Sequence, residues 1–110
     1  MVQSKINLFD KELQQSSEFF KALSHPARLQ ILKYLAETKT CITGDISEEL
    51  PLSRTTVNQH LTELKKAGLV QGHVSGVKMN YCLNPLKINE LKQSLLTFIE
   101  EIQIENFKCK

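Results

Sequence analysis

The sequence contains few of the residues that mark several large protein classes. Its 110 residues include 4 Gly, 3 Pro and no Trp, while 41% are hydrophobic and 24% are charged. This composition excludes collagen-like, linker-like and disordered chains. No segment approaches the roughly 20 apolar residues that cross a bilayer, and the first residues lack the apolar core of a secretory signal. We expect one cytoplasmic domain over residues 1–110 with no membrane contact.

Cysteine is also scarce, with Cys41, Cys82 and Cys109 at wide spacings. Because the cytosol keeps thiols reduced, this pattern predicts no structural disulfide framework. The three thiols are candidates for an effector site, through either reactivity or metal ligation.

Catalytic motifs are missing as well. Gly68, Gly72 and Gly76 recur every four residues without the Lys-Ser or Lys-Thr of a phosphate-binding loop. There is no HExxH pair and no serine nucleophile elbow. The sequence therefore predicts that the protein is not an enzyme, and it points to no certain cofactor.

Two terminal helices, 8–23 and 86–105, are predicted from apolar residues at helical spacing. The second has a heptad-like pattern, and both apolar faces are wider than a small domain needs for its own core. We expect a homodimer joined by these helices, although the last helix could instead pack only on its own domain. The predicted dimer contacts are Leu13, Phe20, Leu91, Leu95, Phe98 and Ile102.

Between these helices the pattern predicts a helix from Ser24 to about residue 37, with Ser24 as its N-cap. A helix-turn-helix follows at 42–67. Its second helix is capped by Ser53 and ends before Gly68, a residue suited to a left-handed C-terminal cap. Its first, short helix is predicted from three apolar residues at i, i+4 spacing, namely Ile42, Ile46 and Leu50.

Residues 69–84 change to a period of two, which predicts a β-hairpin with a turn at Gly76. A hairpin after a helix-turn-helix forms a wing beside the second helix. The predicted fold class is mainly α with a small β-hairpin, a winged helix-turn-helix with the element order α-α-α-α-β-β-α.

The 54–67 helix has an apolar side and a polar side. Amide, hydroxyl and guanidinium groups dominate the polar side, and such groups pair with base edges in the major groove. Hydroxyl and ammonium groups on the hairpin are of the type that contacts backbone phosphates. The predicted DNA-binding residues are Ser53, Arg54, Thr55, Thr56, Asn58, Gln59, His60, Thr62, Lys66, Ser75 and Lys78.

Four segments resemble the ArsR/SmtB family of bacterial winged-helix repressors. They are 20–32, 44–46, 52–61 and 64–70, which read FKALSHPARLQIL, GDI, LSRTTVNQHL and LKKAGLV. The resemblance covers about residues 8–105. It implies a homodimer that places the 54–67 helices in successive major grooves of a palindromic double-stranded operator and is released by an effector.

The sequence departs from this family at its sensor sites. Arsenical sensors have two cysteines separated by one residue near the GDI segment, whereas this chain has only Cys41. Zinc and nickel sensors use Asp, His and Glu on the last helix, yet residues 86–110 contain no His and no Asp. Three possibilities stay open: arsenic(III) or another soft metal ion held by cysteines, a thiol-redox or persulfide effector, and loss of metal sensing. A protein-interaction module without DNA binding is the alternative function.

Overall fold

The computed structural model describes residues 5–38, 41–43, 46–75 and 78–103. Three strands form an antiparallel sheet in the order β1-β3-β2, and the helices pack around it. No helix within these ranges is long and apolar enough to cross a membrane. In chain order the elements are a 3-10 helix Lys5–Leu8, α1 Lys11–Ala22, α2 Pro26–Thr38, β1 Ile42–Thr43, a 3-10 helix Ile46–Glu49, α3 Arg54–Lys66, β2 Val70–Ser75, β3 Lys78–Leu83 and α4 Pro85–Glu101.

The winged helix-turn-helix prediction is confirmed, but its short helix at 42–50 is wrong in detail. Ile42 lies in β1, opposite Tyr81 of β3, and only Ile46–Glu49 is helical, as a 3-10 turn. A helix this short does not offset its nucleation cost, whereas the free edge of β3 offers backbone hydrogen-bond partners to Ile42. The predicted two-stranded hairpin is consequently part of a three-stranded sheet.

The start of α2 also differs from the prediction. The Ala27 amide donates to Nδ1 of His25 at 3.0 Å, so His25 is the capping side chain. Ser24 does not cap α2, because its hydroxyl donates backwards to the carbonyl of Lys21 at 2.6 Å. Pro26 occupies the first helical position, as expected for a residue without an amide proton.

One hydrophobic core joins the helices to the sheet. Leu91 of α4 is 8% exposed and belongs to this core, which corrects its assignment to the dimer contacts. Its place in the heptad-like pattern did not distinguish a core position from an interface position, since both are apolar. The core residues are Phe19, Ala22, Ile31, Leu35, Ile46, Val57, Leu61, Leu64, Leu69, Val70 and Leu91.

The end of α3 fixes how the wing leaves the helix. The Gly68 amide donates to the Lys65 carbonyl at 2.9 Å and the Leu69 amide donates to the Leu64 carbonyl at 3.1 Å, which together form a Schellman motif. Gly68 has φ +82°, a conformation that costs glycine little. Leu64 and Leu69 are both fully buried, so the motif ends inside the core.

The same region holds the start of α4. The Asn84 amide donates to the Leu69 carbonyl at 2.9 Å, and the Asn84 side chain caps α4 by accepting from the amides of Leu86 and Lys87. The Lys87 side chain in turn passes 3.1 Å from the place where a Cβ on Gly68 would stand. The last turn of α3, the base of the wing and the first turn of α4 are therefore held at one point.

Replacing Gly68 with Ala should lower the free energy of unfolding by about 1–2 kcal/mol, because an L residue is strained at positive φ. Gly68→Asn is the matched control, since Asn enters this region more readily, and its loss should be smaller. Urea unfolding at one fixed protein concentration measures both. Equal losses would instead assign the effect to the contact with Lys87.

Candidate DNA-binding surface

The N-terminus of α3 is fixed by a side-chain cap. The Thr56 amide donates to Oγ of Ser53 at 3.2 Å, and the Ser53 hydroxyl donates to Oγ1 of Thr56 at 3.0 Å. The cap satisfies one of the amides that every helix start leaves without an intrahelical partner. Ser53 and Thr56, both predicted to bind DNA, therefore also hold the first turn in place.

The two sides of α3 differ as the sequence predicted. Val57, Leu61 and Leu64 are at most 2% exposed and face the core. The opposite side is exposed and uncharged along most of its length, which leaves amide and hydroxyl groups accessible. This polar face of α3 consists of Thr55, Asn58, Gln59, Thr62 and Lys66.

Two side chains of the polar face already have partners on the helix. Oγ1 of Thr62 donates to the Asn58 carbonyl at 2.9 Å, so its methyl group is the part left for other contacts. Nζ of Lys66 lies 3.4 Å from a carboxylate oxygen of Glu63. Both groups of this ion pair are exposed, and exposed pairs are weak, so Lys66 remains available to a phosphate.

The wing lies beside α3 because β2 packs against that helix. Ser75 and Lys78 are directly opposite each other in the β2–β3 register, at the hairpin end of the wing. The predicted turn glycine, Gly76, lies outside the described residues.

His60 is placed differently from the prediction. Its ring is 8% exposed, the only polar side chain buried to this degree among the described residues. It lies between α2 and α3 and accepts a hydrogen bond at Nδ1 from Nε of Arg28, at 3.2 Å. His60 is therefore not part of the exposed polar side of α3. The 100° spacing of a helical wheel places His60 between the two faces of α3 and does not reveal which neighbour covers it.

Arg28 joins three helices through its guanidinium group. Besides the bond to His60 on α3, its Nη1 donates at 3.1 Å to the carbonyl of Lys21 near the end of α1. The rings of His25 and His60 are 4.2 Å apart, so the cap of α2 also contacts α3. This anchoring role was not predicted from the sequence, although Arg28 and His25 both stand in the segment that resembles the family.

The cysteine prediction is corrected by the structure. Cys41 and Cys82 form a disulfide, although they are 41 residues apart in the sequence. This long separation along the chain did not indicate that the antiparallel pairing of β1 with β3 brings the two cysteines together. A disulfide offers no thiolate to a metal ion. Cys109 lies outside the described residues, within which no three His, Cys, Asp or Glu side chains are grouped as a metal site.

The outer sides of α1 and α4 share an exposed apolar surface. The rings of Phe20 and Phe98 are 5.6 Å apart, which packs the two helices together. Leu13 remains 45% exposed and Ile102 51% exposed. Single exposed leucines are ordinary, whereas groups of exposed apolar side chains are typical of interaction sites. The residues of this α1/α4 apolar surface are Leu13, Leu95, Leu96, Phe98, Ile99 and Ile102.

Comparisons with known proteins decide the family. Residues 25–71 match the model of the bacterial regulatory proteins of the arsR family. The chain is 34% identical to the cadmium resistance transcriptional regulatory protein CadC of Listeria innocua, over 90% of this chain and 82% of that protein. The chain belongs to the ArsR family. It is therefore a DNA-binding transcriptional regulator.

Other members of the ArsR family show the same relation. The chain is 33% identical to the transcriptional repressor SdpR of Bacillus subtilis, over 74% of this chain and 90% of that protein. An ArsR-like transcriptional regulator from a Rhodococcus species superposes with a TM-score of 0.67 at 26% identity, covering 81% of this chain and 83% of that one. The resemblance seen in the sequence is confirmed across most of the chain.

The burial of His60 predicts a pH dependence of stability. Desolvation, then the nearby His25 and then Arg28 lower the pKa of His60 below its usual value of 6.5. Because the fold favours the neutral ring, the stability it contributes is present above pH 6.5 and is lost as pH falls through the lower pKa of the folded protein.

A titration of the His60 ring by NMR checks this prediction. His25→Asn keeps a side chain that can cap α2 and removes the ring whose interaction lowers the pKa of His60, so the pKa of His60 should rise in that variant. A His60 pKa at or above the usual value in the parent protein would contradict the prediction.

Proposed function

We propose that this ArsR-family regulator is a cytoplasmic homodimeric repressor that inserts the polar face of α3 into the major groove of a palindromic operator. The observation that carries the proposal is the orientation of α3. Its apolar side is buried, and its capped N-terminus and row of amide and hydroxyl groups are open to solvent.

The chemistry of the polar face fits base recognition. Asn58 and Gln59 are exposed amides, and such amides pair in a bidentate manner with adenine. The methyl group of Thr62 is suited to contact with thymine. Arg54 and Lys66, at the two ends of α3, bring positive charge toward the phosphates, while the helix N-terminus adds its own partial positive charge. This face does not favour the protein-interaction alternative.

The wing supplies a second contact in the proposed complex. It extends from the end of α3, and its tip carries Ser75 and Lys78 at opposed positions. Contacts from these residues to the phosphate backbone would fix the register of α3 without specifying sequence. Lys78 should accordingly contribute to the salt dependence of binding rather than to base discrimination.

The α1/α4 apolar surface supports the proposed dimer. Leu95 and Phe98 lie on the outer side of α4, between 36% and 38% exposed, and Leu13 lies on the adjoining side of α1. A second copy of the chain would cover these side chains and pair two α3 helices by symmetry, as a palindromic site requires.

Gln59→Ala should reduce discrimination at one base pair of the operator by about 1–3 kcal/mol, because a lost bidentate contact removes readout at that position only. Filter binding to a panel of single-base operator variants measures this change. Gln93→Ala is the matched control, since Gln93 is an exposed glutamine on α4. A uniform loss of affinity across the panel would argue against base readout by Gln59.

Leu95→Glu should convert the dimer to a monomer with poor operator affinity, because it places a charge in the apolar contact. Leu86→Glu is the control. Leu86 is 79% exposed at the start of α4 and stands nine residues before Leu95, which at 100° per residue places it on the opposite side of the helix. Analytical ultracentrifugation distinguishes the two states. If Leu95→Glu sediments like the parent dimer, this surface is not the dimer interface.

A further inference from the structure

The Cys41–Cys82 disulfide has no role in the function proposed above. Ile42 of β1 pairs with Tyr81 of β3, and Cys41 and Cys82 extend this antiparallel register by one position. Their Cα atoms are 4.4 Å apart, the spacing of a directly opposed pair without mutual backbone hydrogen bonds. The disulfide therefore cross-links two neighbouring strands of the sheet.

The disulfide connects the wing to the helix-turn-helix. β3 is the middle strand and forms the wing with β2. β1 stands in the chain between α2 and the 3-10 helix Ile46–Glu49, which packs against α3. Among the described residues the ladder between β1 and β3 includes two residues of β1, so the covalent bond beside it adds a restraint to those that the packing of α2 on β3 and of α3 on β2 supplies.

The two sulfur-bearing residues differ in access to solvent. Cys41 is exposed and Cys82 is half-buried. Exposed disulfides are more easily reduced than buried structural ones, and attack depends on access to a sulfur atom. A small thiol approaching from solvent can therefore reach Cys41 first, while Cys82 is partly shielded and serves as the leaving thiol.

We propose that Cys41 and Cys82 form a reversible redox site that exchanges with low-molecular-weight thiols and disulfides and that its disulfide state strengthens DNA binding by fixing the wing. In the oxidising direction, the Cys41 thiolate attacks a small disulfide RSSR, forms a mixed disulfide and releases RS⁻. The Cys82 thiolate then attacks Sγ of Cys41 and releases the second RS⁻. The protein loses two protons and two electrons, and RSSR becomes two RSH.

The direction of the effect follows from the restraint. A wing that the disulfide restrains in addition to the packing of β2 on α3 loses less conformational freedom when it meets the DNA, so the disulfide form should bind more tightly. Binding and oxidation are then linked reciprocally: bound DNA should make the disulfide harder to reduce by the same factor. This part of the inference rests on the proposed function, whereas the exchange chemistry does not.

The first experiment tests the redox site without DNA. The full chain with Cys109→Ser is equilibrated in reduced and oxidised glutathione at varied ratios, quenched with acid and alkylated, and its free thiols are counted by mass spectrometry. We expect a reversible transition between zero and two free thiols, absent when Cys41→Ser is added. A bond that survives excess reduced glutathione, or never forms in oxidised glutathione, overturns the redox site.

The second experiment tests the coupling to DNA by fluorescence anisotropy on operator duplex. In the same Cys109→Ser background, the oxidised protein should bind at least three-fold more tightly than the reduced protein. Adding Cys41→Ser and Cys82→Ser together should remove the dependence on redox state. Equal affinities, or tighter binding by the reduced form, overturn the coupling. No binding by either form overturns the proposed function instead, while the thiol titration still decides the redox site.

Discussion

The Schellman end of α3 is the constraint on which the rest of the structure depends. Gly68 turns the chain at positive φ, and the amide of Leu69 returns to the Leu64 carbonyl inside the core. One residue later the chain enters β2, and β3 returns to the same point, where Asn84 binds Leu69 and caps α4. Because these bonds share one small region, the direction of the wing and the direction of α4 are both set relative to α3.

A second junction fixes the middle of α3, at His60. Arg28 donates to His60 and to the carbonyl of Lys21, so α1, α2 and α3 meet at one guanidinium group. In the proposed complex the polar face of α3 can contact DNA because the opposite side of the helix is held by the core and by the bond from Arg28. If α3 were not held in this way, ordering the helix on DNA would cost conformational entropy and lower the binding affinity.

Much of the fold could be predicted from the sequence because its signals are local. Ser53 caps α3 and Gly68 ends it, as their residue types indicate. The predicted helix at 42–50 failed because i, i+4 spacing in a short segment does not outweigh the pairing of Ile42 with β3. Likewise Leu91 and Leu95 are equivalent in an apolar pattern, yet one lies in the core and the other on the surface.

The sequence by itself determined the winged helix-turn-helix, the orientation of α3 and the kinship with ArsR-family regulators, since periodicity, caps and motifs depend on neighbouring residues. Only the tertiary structure decided that Cys41 meets Cys82, and that His60 is buried under Arg28. The physical reason is the same in both cases. Each contact joins residues more than thirty positions apart, and its distance is set by strand register or helix packing that no local pattern encodes.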